Sequence, residues 1–134
     1  MSFKIDTKER FKVVSLPSGK FSASLAEELN QQLVALLTKN APPQNEDPGN
    51  IVVSFKESTE IDAAAAEILL QLHQQFYANN CSFVCCELSK DLLKQFEELE
   101  ILDILNITPT ESEAWDIVQM EEIEREILGG DDDQ

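Results

Sequence analysis

The stretch Ile51–Tyr77 reads IVVSFKESTEIDAAAAEILLQLHQQFY and is the most informative part of the sequence. It begins with Ile51–Phe55, an apolar run rich in β-branched residues, which predicts a strand buried on both faces, as at the centre of a sheet with parallel pairing. A short polar segment follows, which predicts a loop. Asp62 then stands just before four consecutive alanines that open a helix. The stretch therefore predicts a strand, a loop and a helix in that order.

The predicted helix has a core face and an unusually apolar flank. The core face, set by the 3.6-residue period, consists of Ala65, Ile68, Leu69, Leu72 and Phe76. The flank consists of Ala66, Leu70, His73 and Tyr77. Two interpretations of this flank stay open: a wide core stripe that touches a neighbouring helix, or a surface that docks a partner.

The segments before this stretch predict a hairpin, a helix and a loop. Phe3–Ser15 alternates well enough for one or two strands, and Ser24 followed by Glu27 predicts a capping box ahead of a leucine-rich helix. Asn40–Asn50 contains three of the five prolines and no apolar period, which predicts a loop. Strands that alternate with helices in this way predict an α/β architecture.

The order of the later segments extends the pattern over most of the chain. Phe83–Ser89, FVCCELS, resembles the next strand and closing serine of a known domain family. Leu92–Ile101 resembles the helix that follows in that family, and Ile107–Thr110 its last short strand and turn before a final helix. From about Lys12 to about Val118 the chain resembles the STAS domain (sulfate transporter and anti-sigma factor antagonist). The resemblance implies an α/β fold, a mixed β-sheet with helices packed mainly on one face.

The resemblance also implies a function. In the family a strand is followed by Asp-Ser-Ser-Gly and a helix, and one serine is the phosphoacceptor; here Ala63 and Ala64 stand in its place and have no hydroxyl. STAS proteins of this kind bind a kinase-like anti-sigma factor in the unphosphorylated state. The resemblance therefore implies a non-enzymatic interaction domain in bacterial regulation, without the phosphorylation switch. The alternative is a STAS accessory subunit of an ABC-type transporter or of a larger signalling complex.

The partner-binding residues that the resemblance implies lie in the family's loop and the helix after it. They are Ser58, Thr59, Asp62, Leu70, His73 and Tyr77. Ser58 and Thr59 could also offer a displaced hydroxyl to a kinase. Glu100 departs from the family, since it stands where many members have a helix-ending glycine, and we expect a different helix end there.

Composition restricts the remaining classes of function. A net charge of −16 argues against nucleic-acid binding, which depends on lysine and arginine. The apolar runs are too short to cross a membrane, so no membrane insertion and a cytoplasmic location are expected. The three cysteines, Cys81, Cys85 and Cys86, fit a buried core better than disulfides, and neither a metal site, a cofactor loop nor a catalytic motif is recognisable.

The chain is long enough for one domain, which we place at residues 1–120. Residues 121–134 are predicted to form an acidic helix end and tail. Glu111–Gln134 holds ten acidic residues against one arginine, which is typical of a solvated terminal helix. A homo-oligomer that associates through this helix is a third class of function.

Overall fold

The computed structural model of the chain describes residues 3–8, 10–39 and 49–132. The strands are β1 (Lys4–Thr7), β2 (Phe11–Ser15), β3 (Gly19–Phe21), β4 (Asn50–Ser54), β5 (Ser58–Ile61), β6 (Phe83–Cys86) and β7 (Asn106–Thr108). The helices are α1 (Ala23–Lys39), α2 (Ala63–Ala78), α3 (Lys90–Glu98) and α4 (Glu111–Asp132). Most of the predicted loop Asn40–Asn50 lies outside the described residues, but Asn50 itself begins β4.

A mixed five-stranded sheet organises these elements, in the order β1-β2-β4-β6-β7. β1 is antiparallel to β2, and the other pairs are parallel. The predicted hairpin and central strand are therefore confirmed. A separate two-stranded parallel sheet joins β3 to β5.

The sheet is buried on both faces because helices cover each side of it. Successive side chains of each inner strand point to opposite sides and so contribute to both cores. Ile51 and Val53 pack with α1, α2 and α3, whereas Val52 packs with α4 through Ala114 and Val118. Cys85 and Cys86 divide between the two faces in the same way. The predicted fold is confirmed: three helices cover one face, and the last helix covers the other.

Two local predictions are wrong. The segment predicted as a loop after β4 contains β5, because its backbone pairs with β3 despite its polar side chains. The capping box was expected at Ser24 and Glu27, but α1 begins at Ala23, and the Ser22 hydroxyl accepts the Leu25 N–H at 3.3 Å. The first difference comes from pairing with a distant strand. At the second, the Asp62 carboxylate, 39 positions away, accepts the Ala23 N–H.

Glu100 does not change the helix end, contrary to expectation. It adopts a left-handed backbone with φ of 63°, while the Ile101 N–H bonds to the Phe96 carbonyl and the Glu100 N–H to the Glu97 carbonyl. These are the two hydrogen bonds of a Schellman motif, in which glycine is usual at this position. Glu100 therefore adopts the left-handed backbone conformation that glycine usually takes at this position, and this conformation is strained for a residue with a Cβ atom.

We expect Glu100→Gly to stabilise the protein by about 0.5–1 kcal/mol, because relief of the left-handed strain exceeds the added flexibility of the unfolded chain. The melting temperature should rise by roughly 3 °C. Glu100→Ala is the matched control, since it removes the same carboxylate but keeps Cβ. An equal rise in both variants would assign the effect to charge instead of backbone strain.

Candidate functional site

The start of α2 is held by Asp62, whose carboxylate caps two helices. One oxygen accepts the Ala65 N–H at 2.8 Å, within α2. The other accepts the Ala23 N–H at 3.2 Å, at the first residue of α1. Helix N-termini carry unpaired N–H groups and a partial positive charge, so one carboxylate satisfies donors of both. Asp62 thus fixes the two helix starts side by side.

The four alanines after Asp62 divide into two pairs. Ala65 and Ala66 are buried in the core, whereas Ala63 and Ala64 are exposed on the first turn of α2. The surface at this helix start is therefore made of two methyl groups beside a capping carboxylate. The first turn of α2 therefore exposes small residues and carries no hydroxyl.

Ser58 and Thr59 lie in β5 and differ in accessibility. Ser58 is 5% exposed, and its hydroxyl is buried without a hydrogen-bond partner in the structure. Thr59 is exposed, and its carbonyl accepts from the Gln95 side chain at 3.2 Å. Gln95 also accepts the Ile61 N–H at 3.0 Å, which ties β5 to α3. Of the two hydroxyls, only that of Thr59 faces solvent.

The flank of α2 is half-buried. Leu70, His73 and Tyr77 each keep part of their surface exposed, whereas Ala66 is buried. The His73 ring lies 4.8 Å from Tyr77 and 6.5 Å from Phe83, measured between ring centroids. Burial lowers the pKa of His73, and the carboxylate of Glu121 opposes that shift. The flank residues pack on the core and still reach the surface. Their burial is therefore compatible both with a wide core stripe and with a surface that docks a partner.

The Tyr77 hydroxyl belongs to an internal network. It donates to Glu121 at 2.7 Å and accepts from the Asn106 side chain at 2.5 Å. Burial and the bond to Glu121 raise the pKa of Tyr77 far above its ordinary value. Tyr77 thus links α2 to β7 and α4.

The predicted binding residues do not form one cluster. Ala63 and Tyr77 are fourteen positions apart on α2, which at 1.5 Å per residue corresponds to about 21 Å. Thr59, Asp62 and the exposed alanines lie at the helix start, and Tyr77 lies near its other end. Leu70 is between them.

Sequence reasoning missed a polar cluster at the base of the sheet, where β4 and β6 begin. Asn50, which is fully buried, donates to the Arg10 carbonyl at 3.0 Å and to Glu122 at 2.7 Å. Its oxygen accepts from the Ser82 N–H at 2.7 Å and from Arg125 at 3.2 Å. The sequence offered one sign of this cluster, a polar Asn50 directly before an apolar strand. Nothing in the sequence connects Asn50 to Glu122 and Arg125, which are 72 and 75 positions away.

The described residues hold no constellation suited to catalysis by a thiol or a metal. Burial raises the pKa of the Cys86 thiol to about 12 and that of Cys85 further, so neither forms a thiolate readily. In the same ranges, no three His, Cys, Asp or Glu side chains meet in a way that could hold a metal ion.

Comparison with known families identifies this arrangement. The model of the STAS domain matches residues 2–114. The chain belongs to the STAS domain family. The match takes in both sheets, the Asp62 cap and the first turn of α4, so the STAS domain accounts for most of the chain.

Solved STAS structures share the fold at low sequence identity. A protein of Thermotoga maritima, described as a candidate anti-sigma factor antagonist, is 14% identical; the match covers 87% of this chain and 94% of that one, with a TM-score of 0.71. The anti-sigma factor antagonist SpoIIAA of Bacillus, in its unphosphorylated form, is 16% identical, with 88% and 98% covered and a TM-score of 0.63. SpoIIAA has also been solved in a phosphorylated form.

A transporter also contains this fold. The murine anion transporter Slc26a9 is 10% identical over 86% of this chain and 18% of its own length, with a TM-score of 0.64. The comparison with curated protein sequences gave no match. Among the helices of the described ranges, none combines the length and the apolar character that a membrane span needs.

Proposed function

We propose that this STAS domain is a non-enzymatic module that docks a protein partner in bacterial regulation and lacks the phosphorylation switch. The observation that carries the proposal is the exposed first turn of α2, where Ala63 and Ala64 follow the capping carboxylate of Asp62. A phosphoryl group at such a position would add nearly two negative charges to the surface. Alanine cannot accept one, so the surface keeps a single charge state.

The docking surface that we propose is centred on the helix start and extends along α2. Thr59, Asp62, Ala63 and Ala64 form its centre, and Leu70 with the exposed part of His73 continues it. The Ser58 side chain is buried, so in this proposal Ser58 lies beneath the docking surface and does not touch the partner. Tyr77 contributes by holding the far end of α2 to α4 through its bond to Glu121.

A kinase-like anti-sigma factor is the first partner to test, because SpoIIAA, a protein with the same fold, is an anti-sigma factor antagonist. The decisive comparison is between Ala63→Asp or Ala64→Asp and Ala78→Asp. Ala78 is also exposed on α2 but lies at its C-terminal end, so it is the matched control. The partner is first obtained by affinity capture from the native host, and its affinity for each variant is then measured by calorimetry.

We expect Ala63→Asp and Ala64→Asp to weaken the complex at least tenfold, because each places a charge in a desolvated contact. Their melting temperatures should not fall, since a carboxylate at a helix N-terminus is favourable. Ala78→Asp should bind as the parent does. Equal affinities for all three variants would place the interface elsewhere and defeat the proposal.

The absence of a switch has its own test. After incubation with ATP and the captured partner, phosphopeptide mass spectrometry should find no phosphate between Ser58 and Ala64. Phosphate on Thr59, the exposed hydroxyl of that segment, would show a displaced switch and contradict the fixed charge state.

The second candidate is an accessory STAS subunit of a transporter or of a larger signalling complex. The transporter Slc26a9, which contains the same fold, favours it. Capture of an ABC permease and its ATPase in place of a kinase-like protein would support this function. The same α2 variants would then test whether that complex uses the proposed surface.

A further inference from the structure

An exposed apolar stripe runs along the middle of α4. Its members, Met120, Ile123 and Ile127, are 61%, 56% and 60% exposed. The other large hydrophobic residues exposed in the described ranges, Ile5 and Ile104, belong to different elements and form no stripe. Three such residues on one helix face differ from the scattered apolar exposure that is normal for a protein surface.

The opposite side of α4 is already occupied, so the stripe faces away from the domain. Ala114 and Val118 are buried against the sheet, and Glu121 accepts hydrogen bonds from Tyr77 and Ser82. Glu122 pairs with Arg10. The stripe is therefore presented on a helix whose inner side is fixed to the body of the STAS domain.

The spacing of the stripe fits recognition of another helix. Residues 120, 123 and 127 stand at i, i+3 and i+7, the anchor positions through which helices pack in a groove. A groove runs beside the stripe, and Ile123, the half-buried Trp115 and Arg10 are among the residues that line it. A helix laid along α4 could cover the stripe and fill this groove.

The charge of α4 indicates what kind of helix that would be. Glu124 and Glu126 are exposed and, at 100° per residue, lie on the two sides of the stripe, while Asp116 lies at its start. A second copy of this chain would bring two such acidic borders together in a protein of net charge −16. A partner with lysine and arginine beside its apolar residues would instead meet opposite charge along both borders.

We propose that the outer face of α4 binds a basic amphipathic helix of a partner protein. The surface is separate from the start of α2, so the proposal does not depend on the proposed function. Three anchors over about 10 Å are a small interface, since specific complexes bury roughly 800 Å² per partner. We therefore expect micromolar affinity.

The probe is a synthetic amphipathic peptide with leucine at heptad a and d positions and lysine at the others, titrated by calorimetry into the full chain. The only tryptophan of the protein, Trp115, lines the groove, so its fluorescence gives a second readout with a peptide that has no tryptophan. A peptide of the same charge with glutamine in place of leucine controls for simple charge attraction. Binding of the leucine peptide, and not of the glutamine peptide, is the expected result.

The variant I123Q/I127Q should weaken peptide binding at least tenfold, whereas Ile104→Gln, the matched exposed isoleucine, should leave it unchanged. E124Q/E126Q should weaken binding several-fold and reduce its dependence on salt. Ala63→Asp should have no effect, which separates this surface from the one on α2. Equal binding by the parent and I123Q/I127Q would show that charge alone attracts the peptide and would overturn the proposal. A parent dimer in sedimentation that I123Q/I127Q dissociates would overturn it in favour of a second copy.

Discussion

Asn50→Ala is expected to lower the free energy of unfolding by about 3–5 kcal/mol, because it removes the centre of the buried polar cluster. The side chain uses both of its N–H donors and accepts two hydrogen bonds with its oxygen. Its removal leaves the Arg10 carbonyl, the Ser82 N–H and a carboxylate oxygen of Glu122 without those partners. The melting temperature should fall by roughly 9–15 °C.

Asn79→Ala is the control for this prediction. Asn79 is exposed, and its side chain donates one hydrogen bond, to the Gln75 carbonyl at 2.7 Å. We expect a loss of about 1 kcal/mol or less, because water can replace this bond. Thermal and denaturant melts of both variants make the comparison, and equal losses would show that the cluster adds nothing beyond an ordinary surface hydrogen bond.

The polar cluster also bears on the division of the chain. Residues 121–134 were predicted to be a helix end and tail, separate from a domain of residues 1–120. In the structure α4 continues through this boundary, and Glu121, Glu122 and Arg125 contact β4, β6 or the residues beside them. We therefore propose that the domain extends at least to Arg125. Hydrogen exchange in Asn50→Ala should rise most in α4 after Val118, where these contacts are lost.

Local patterns carried the correct predictions. The nearly continuous apolar run Ile51–Phe55 and the 3.6-residue period after Asp62 each indicate which side chains are buried, and burial is what selects a strand or a helix. The position of Asp62 before the alanines was equally visible. These features depend on neighbours within one or two turns, so a single sequence contains them.

The errors arose where distant residues decide the outcome. Ser22 and Ser24 are equally good capping residues by sequence, and α1 begins at Ala23, where Asp62, 39 positions away, accepts the N–H. Ser58 was predicted to lie in a polar loop, but it lies in β5, which pairs with β3, and it is buried. Tyr77 lies on the predicted flank of α2, but the sequence did not show that its hydroxyl bonds to residues 29 and 44 positions away. Such partners cannot be found from periodicity.

Replacement of Asp62 tests the double cap directly, because alanine and asparagine remove different parts of it. Asp62→Ala removes both acceptors and should cost about 2 kcal/mol, near 1 kcal/mol for each helix start. Asn is as good an N-cap as Asp, but its side chain has one acceptor oxygen. We expect Asp62→Asn to keep the 2.8 Å bond to the Ala65 N–H and lose the 3.2 Å bond to the Ala23 N–H, at a cost of about half as much.

Asp62→Ala and Asp62→Asn also test whether partner binding depends on the stability of the helix start. If the surface at the start of α2 requires that helix to be capped, Asp62→Asn should bind a partner nearly as the parent does, and Asp62→Ala should bind more weakly. Chemical denaturation measures the first effect and calorimetry with the captured partner the second. An Asp62→Asn variant as stable as the parent would show that the contact with α1 contributes nothing. An Asp62→Asn variant as unstable as Asp62→Ala would show that the negative charge, and not the acceptor oxygens, stabilises the two helix starts.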